Sequence, residues 1–174
     1  MIGPEERRHL TDGPRPGEVA AGAGTVGVLA RGGAAGGGVL DRSRAVLLAV
    51  LEHSGSTWPT VEEWRSILPP WFVGACGPEL SRAEAEHWLA WWRSLGPADR
   101  ARTEAERRWT LADWIYWLMP SERQWFWWDA EVGRDGTLRV TVEVAGWPTP
   151  LGALDWLLRA AGATEIVHEE NSLR

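Results

Sequence analysis

The side chains that could perform nucleophilic catalysis are one cysteine, Cys76, and two serines, Ser54 and Ser56. The histidines available as bases in the same part of the chain are His53, His87 and His168. A catalytic thiol or hydroxyl needs a base held at hydrogen-bonding distance, and no G-x-S-x-G, P-loop or H-E-x-x-H motif provides such a pair here. Small residues flank Cys76 and would suit a turn, yet a lone cysteine usually behaves as a small buried apolar side chain. The pattern therefore predicts a structural Cys76 and no catalytic residue.

Two patterns contain metal-ligand types without the spacing that a metal site needs. Glu84 and His87 form the Glu-x-x-His spacing of di-iron helical bundles, which require a second such motif and two further glutamates; no second motif occurs. The three histidines listed above, taken with Cys76, match no local zinc motif. We therefore expect Glu84 to cap a helix, His87 to lie at the surface, and neither a metal nor a cofactor to bind.

A glycine-rich stretch near the N-terminus contains Gly22, Gly24 and Gly27 in the sequence GAGTVG. This is the spacing of a dinucleotide-binding loop, in which glycines let the backbone approach a pyrophosphate. That loop requires a strand before it and a helix after it, and the flanking sequences PRPGEVA and LARGGAAGGG favour neither. We interpret the match as a consequence of composition.

Tryptophan is the outstanding feature of the composition, since the chain contains 14 of them. Four fall on the apolar stripes of predicted helices and are expected in the core: Trp64, Trp88, Trp92 and Trp114. Trp91, Trp117 and Trp156 lie off the stripes of their helices. Because a helix that is apolar on every side must be covered by something, these three tryptophans form the candidate interaction surface.

The helices that would position these residues are predicted after residue 40. Three capping boxes each mark a helix start: Thr60 with Glu63, Ser81 with Glu84, and Thr103 with Glu106. Asp41 is a suitable N-cap for a further helix over residues 43–53, which Gly55 would end. The sequence thus predicts an N-terminal helical part of about four helices.

Strand signals follow these helices. The aromatic residues 125–128 and the alternating residues 138–144 flank a turn at 133–136, which predicts a β-hairpin. A helix over 151–161 and a strand over 164–168 come next. The predicted fold class is α+β, with the helical part followed by a β-β-α-β unit that forms a small, mostly antiparallel sheet.

Residues 1–40 contain eleven of the 20 glycines and no aromatic residue. Such a segment offers little apolar surface to offset the backbone entropy lost on ordering. We therefore expect a disordered glycine- and alanine-rich arm at 1–40 and a single globular domain at 41–174.

The charge balance and the absence of targeting signals limit the function classes. The formal net charge is -6, which disfavours nucleic acid as a partner because phosphate neutralisation dominates that affinity. No secretory signal pattern opens the chain and no apolar run is long enough to cross a membrane. We expect a cytoplasmic protein that binds neither nucleic acid nor a membrane.

The C-terminal third carries a resemblance. The run LRVTVEVAGWPTPLGALDWLLRAAGA over residues 138–163, with ERQWFWWDA before it, resembles segments of tryptophan-rich hypothetical proteins from high-GC actinobacteria. The resemblance implies no activity, and no residue role follows from it.

Two function hypotheses are consistent with the sequence. The first is a small protein-interaction or regulatory protein without catalytic activity, resembling an immunity protein or an antitoxin, which binds a protein partner or itself. The alternative is a small-molecule-binding enzyme whose tryptophan-lined pocket is served by Cys76, His87 or a carboxylate. An interaction protein should expose an aromatic patch, whereas an enzyme should bring titratable groups together in a pocket.

Overall fold

Eight helices and four strands lie in the part of the chain that the computed structural model describes, residues 3–32, 36–54 and 57–169. The helices are α1 (Pro4–Asp12), α2 (Gly36–His53), α3 (Val61–Ile67), α4 (Pro70–Ala75), α5 (Arg82–Ser94), α6 (Pro97–Glu106), α7 (Leu111–Trp117) and α8 (Gly152–Ala160). The strands are β1 (Gly24–Arg31), β2 (Trp125–Val132), β3 (Leu138–Val144) and β4 (Glu165–His168).

The four strands form one antiparallel sheet in the order β2-β3-β1-β4. β3 and β4 run in the same direction because each is antiparallel to β1, which lies between them. α8 therefore connects two parallel strands across a third. The α+β class and the C-terminal β-β-α-β order agree with the sequence prediction, including the hairpin turn, where Gly136 adopts a φ of 79°.

One face of the sheet is buried, and its pattern follows from alternation along the strands. The inward residues of the two central strands are Val26, Val28 and Ala30 on β1, and Leu138, Val140, Val142 and Val144 on β3. α2 packs against β2, β3 and α8, and its buried residues include Val46, Leu47 and Val50. Helix and sheet thus share a core whose burial is the main stabilising contribution to the fold.

The expectation of a disordered arm at residues 1–40 is wrong for most of that segment. Residues 24–31 form β1, which is hydrogen-bonded to a strand on each side, and residues 4–12 form α1. A central strand gains backbone hydrogen bonds along both edges, so Val26, Val28 and Ala30 suffice as its apolar contribution. The glycines do not form a phosphate-binding loop, because Gly24 and Gly27 lie within β1 itself.

The N-terminal helix α1 is fixed by a buried ion pair. The Glu6 carboxylate accepts hydrogen bonds from the Arg123 guanidinium at 2.5 and 3.1 Å, and only 1% and 4% of the two side chains are exposed. The same carboxylate accepts the backbone N–H of Trp127 at 2.8 Å. Because β2 is an edge strand, α1 both covers that edge and satisfies one of its outward N–H groups.

A second polar contact holds the segment that follows α1. The Nε2 atom of fully buried His9 lies 3.0 Å from Glu18 Oε1, and Arg8 binds the same oxygen. Hydrogen bonds from Arg8 and from the backbone of Arg15 lower the pKa of Glu18 to about 2. The His9 ring meets the ring of Trp128 edge-on at 4.6 Å. Residues 3–18 are thereby tied to β2 and to one another.

The helix boundaries correct part of the sequence prediction. The boxes at Thr60 and Ser81 are present as predicted. Thr103 starts no helix, because it lies inside α6; Thr110 instead caps α7 by accepting the N–H of Asp113. α2 already begins at Gly36, so Asp41 is not its N-cap. The predicted stop at Gly55 lies outside the described residues. None of the described helices has the length and apolarity needed to cross a bilayer.

Deletion of residues 1–31 should abolish cooperative folding, because it removes α1 and the strand between β3 and β4. We expect the full chain to unfold in a sigmoidal thermal transition by circular dichroism and the truncated chain to show no such transition. A truncated chain that melts cooperatively within a few degrees of the full chain would contradict this assignment of β1.

His168 on β4 should make the contact between β4 and α8 dependent on pH. Its Nε2 lies 2.8 Å from Asp155 Oδ1, and this hydrogen bond raises the pKa of His168 above 6.5. The stabilisation is fully present below pH 6.5 and is lost as the pH rises through the raised pKa. An NMR titration should place the His168 pKa above 6.5, and Asp155→Asn should lower it. A His168 that titrates at or below 6.5 in the unsubstituted chain would show that the pair does not form.

Candidate interaction groove

Helix α5 lies at the surface and buries none of its 13 residues. It nevertheless carries four large apolar side chains, Trp88, Leu89, Trp91 and Trp92. The helix starts at the Ser81 capping box, in which Glu84 accepts the Ser81 N–H at 2.8 Å. Capping and helix propensity therefore define α5 locally, while the sheet core does not cover its tryptophans.

Arginine side chains hold α5 and α6 together. Arg100 on α6 lies with its guanidinium carbon 4.8 Å from the centre of the Trp92 ring and donates to the Trp92 and Arg93 carbonyls. Arg107, the C-cap of α6, lies 4.4 Å from the centre of the Trp88 ring. These cation–π contacts stabilise the helical hairpin in place of a buried apolar interface.

A groove of about 480 Å³ opens between this hairpin and the rest of the molecule. Its lining comes from α5, from the segment between α6 and α7, from α7, and from the start of α8. The lining residues are Ala85, Trp88, Leu89, Arg107, Trp109, Asp113, Trp117, Pro150, Gly152 and Ala153. Ala85, Trp88 and Leu89 are spaced i, i+3, i+4 and so share one face of α5.

Glycine at position 152 allows Trp109 to form one wall of the groove. A Cβ atom at this position would lie 2.9 Å from the Trp109 ring, so any larger residue would displace the indole. The Trp109 carbonyl also accepts the N–H of Gly77 at 2.8 Å. α7, which supplies Trp117, is fastened to α8 by a hydrogen bond from buried Trp114 Nε1 to the Ala153 carbonyl at 2.9 Å. Hydrogen bonds therefore fix these two walls to the rest of the fold.

The groove contains one ion pair and several unused hydrogen-bond donors. Arg107 Nη2 lies 2.5 Å from Asp113 Oδ2, and these two are the ionisable groups among the described lining residues. The indole N–H groups of Trp88, Trp109 and Trp117 donate to no atom in the described part of the chain. An apolar surface with free donors and one charged pair is suited to binding rather than to proton transfer.

The structure separates the three predicted surface tryptophans. Trp117 is 36% exposed and lines the groove, and Trp91 is 47% exposed on α5 outside the lining. The prediction for Trp156 is wrong, because that side chain is 8% exposed and lies beside Cys76. α8 is covered on more than one side, by α2 and by the Cys76 segment, so a position off its main stripe is also buried.

Two of the four predicted core tryptophans are in the core. Trp64 and Trp114 are fully buried as predicted, whereas Trp88 and Trp92 are half-buried. The prediction that Trp88 and Trp92 lie in the core is wrong, because α5 turns its apolar stripe towards α6 and the groove and buries none of its residues. Sequence reasoning also missed Trp109, Arg107 and Asp113; the i, i+4 spacing of Asp113 and Trp117 was the available signal.

The remaining sequence candidates lie apart from the groove. Cys76 is buried, and desolvation raises the pKa of its thiol, as expected of a structural cysteine. His87 is exposed on α5. Glu84 caps α5 as predicted, and its hydrogen bonds to Ser81 lower its pKa. No group of three or more His, Cys, Asp or Glu side chains in the described residues could hold a metal ion.

Comparison with protein-family models, with curated proteins and with solved structures finds no match to this chain.

Substitution by alanine should distinguish core tryptophans from surface tryptophans by the loss of unfolding free energy. We expect Trp156→Ala to lower the free energy of unfolding by roughly 3–5 kcal/mol, because it leaves a cavity in the core. Trp117→Ala and Trp91→Ala should each cost less than about 1 kcal/mol, because their rings already contact water. Urea denaturation of the three variants measures this difference. Equal losses in all three would mean that α5 and α7 are packed as tightly as α8.

Proposed function

We propose that this chain is a small cytoplasmic protein-interaction protein with a regulatory role, which has no catalytic activity of its own. Its partner is another protein, bound at the tryptophan-lined groove, as an immunity protein or an antitoxin binds its target. The observation that carries this proposal is α5, a helix with four large apolar side chains and no buried residue. Several large apolar side chains that the fold leaves unburied on one helix typically mark a contact surface.

The composition of the groove supports a protein as the ligand. Tryptophan and arginine are the residue types most enriched where protein interfaces gain their affinity, and both line this groove. The net charge of -6 favours a basic partner over a nucleic acid, because the chain would repel phosphates.

The second candidate function is a small-molecule enzyme, which the groove volume of about 480 Å³ favours, since ligand pockets commonly fall in this range. Its chemistry would have to use Arg107 and Asp113, which neutralise each other at 2.5 Å. Cys76 and His87, the other groups that such an enzyme would use, do not line the groove. The protein-interaction hypothesis therefore accounts for more of the residues that line the groove.

Photo-crosslinking in the native cells tests the proposal. A benzoylphenylalanine at position 117 should give one adduct with a partner protein, whereas the same group at Val132, which is 44% exposed and outside the groove, should not. The purified partner should then bind the chain in a defined stoichiometry, and Trp117→Ala should weaken binding by about 2 kcal/mol or more, the loss typical of an interface hot spot.

Three outcomes would overturn the proposal. They are equal adducts from both positions, a partner whose affinity is unchanged by Trp117→Ala, and an adduct of the chain with a second copy of itself, which would make the groove a dimer interface.

A further inference from the structure

The chain covers its tryptophans repeatedly with arginine. Among the described residues, guanidinium carbons lie 4.4–5.5 Å from tryptophan ring centres in four places: Arg42 on Trp71, Arg100 on Trp92, Arg107 on Trp88 and Arg123 on Trp125. All 18 basic residues of the chain are arginines. A guanidinium is planar and weakly hydrated, so it stacks on an indole with little desolvation cost, whereas an ammonium group is compact and strongly hydrated.

The groove already contains one complete arginine-binding unit. Arg107 lies 4.4 Å over the Trp88 ring and 2.5 Å from Asp113 Oδ2. An aromatic face and a carboxylate are together the groups that recognise a guanidinium. The chain's own side chain therefore demonstrates which ligand chemistry these surroundings accept.

Two further tryptophans of the groove have no arginine over their rings. Trp109 and Trp117 line the groove, and in the described part of the chain no guanidinium covers either ring. Asp113 and Trp117 are four residues apart on α7 and so lie side by side. Asp113 binds Arg107 through Oδ2 alone, which leaves Oδ1 as a free acceptor.

We propose that the groove receives an arginine side chain of the partner protein, stacked on Trp117 and Trp109 and hydrogen-bonded to Asp113. This inference rests on the proposed function and specifies the partner's chemistry. Charge complementarity supports it, because the net charge of -6 attracts a basic partner. Within the groove Asp113 balances Arg107, so the site itself is neutral and does not repel the incoming cation.

The test compares arginine with lysine as the probe. Two blocked glycine–serine peptides, one with two arginines and one with two lysines, are titrated into the full chain, and the tryptophan indole N–H signals are followed by NMR. We expect the arginine peptide to shift the signals of Trp109 and Trp117. It should bind about two- to fivefold more tightly than the lysine peptide, because a planar guanidinium stacks on an indole with a smaller desolvation cost than an ammonium group.

Two substitutions complete the design. Trp117→Ala should weaken binding of the arginine peptide by about the same two- to fivefold factor. Trp117→Phe keeps an aromatic face and should weaken binding less. Trp147→Ala is the matched control, because Trp147 is 49% exposed and does not line the groove; it should leave binding unchanged.

Equal affinity for the two peptides would mean that net charge alone drives binding and would overturn the inference. NMR signal shifts confined to tryptophans outside the groove, or unchanged binding by Trp117→Ala, would overturn it as well. A blocked proline-rich peptide without arginine that binds more tightly than the arginine peptide would overturn it too and assign the groove to extended proline-rich segments. These results are independent of the crosslinking experiment, which detects a protein partner whatever side chain it inserts.

Discussion

A tryptophan ring exposes a large apolar surface that must be covered or else remain in contact with water at a cost in free energy, and this chain has 14 of them. Five are covered by the core: Trp64, Trp114, Trp125, Trp127 and Trp156. Others lie under arginine side chains, as Trp92 lies under Arg100. Trp91, Trp117 and Trp147 stay exposed. The sheet core can accept only part of this aromatic surface, so the hairpin of α5 and α6 is held by arginine, and a groove remains where it meets α7.

The same pairing of arginine with aromatic rings reaches into the core at Arg123. Its guanidinium lies 4.6 Å from the Trp125 ring centre and binds Glu6, whose carboxylate also accepts the Trp127 N–H. A buried arginine without this carboxylate would be strongly destabilising, so α1 is needed once Arg123 is inside. α1 in turn covers the edge of β2, and the four-stranded sheet is closed on that side.

Much of this architecture could be predicted from local patterns. The capping boxes at Thr60 and Ser81, the hairpin around Gly136 and the α+β order depend on neighbours in sequence, and the structure confirms them. β1 could not be predicted in this way, because it is stabilised by pairing with residues more than a hundred positions away and its own sequence contains Gly24 and Gly27, a residue type depleted in strands. The prediction that Trp156 is exposed failed for a similar reason, since that side of α8 is covered by the distant Cys76 segment.

Hydroxyl-radical footprinting of the free chain, read residue by residue with mass spectrometry, tests whether the fold leaves the tryptophans of α5 and α7 uncovered. We expect fast oxidation of Trp91 and Trp117, slow oxidation of Trp114 and Trp156, and an intermediate rate for Trp88 under Arg107. Oxidation of Trp117 as slow as that of Trp114 would contradict it, because the fold itself would then cover the ring and no surface would remain for a partner.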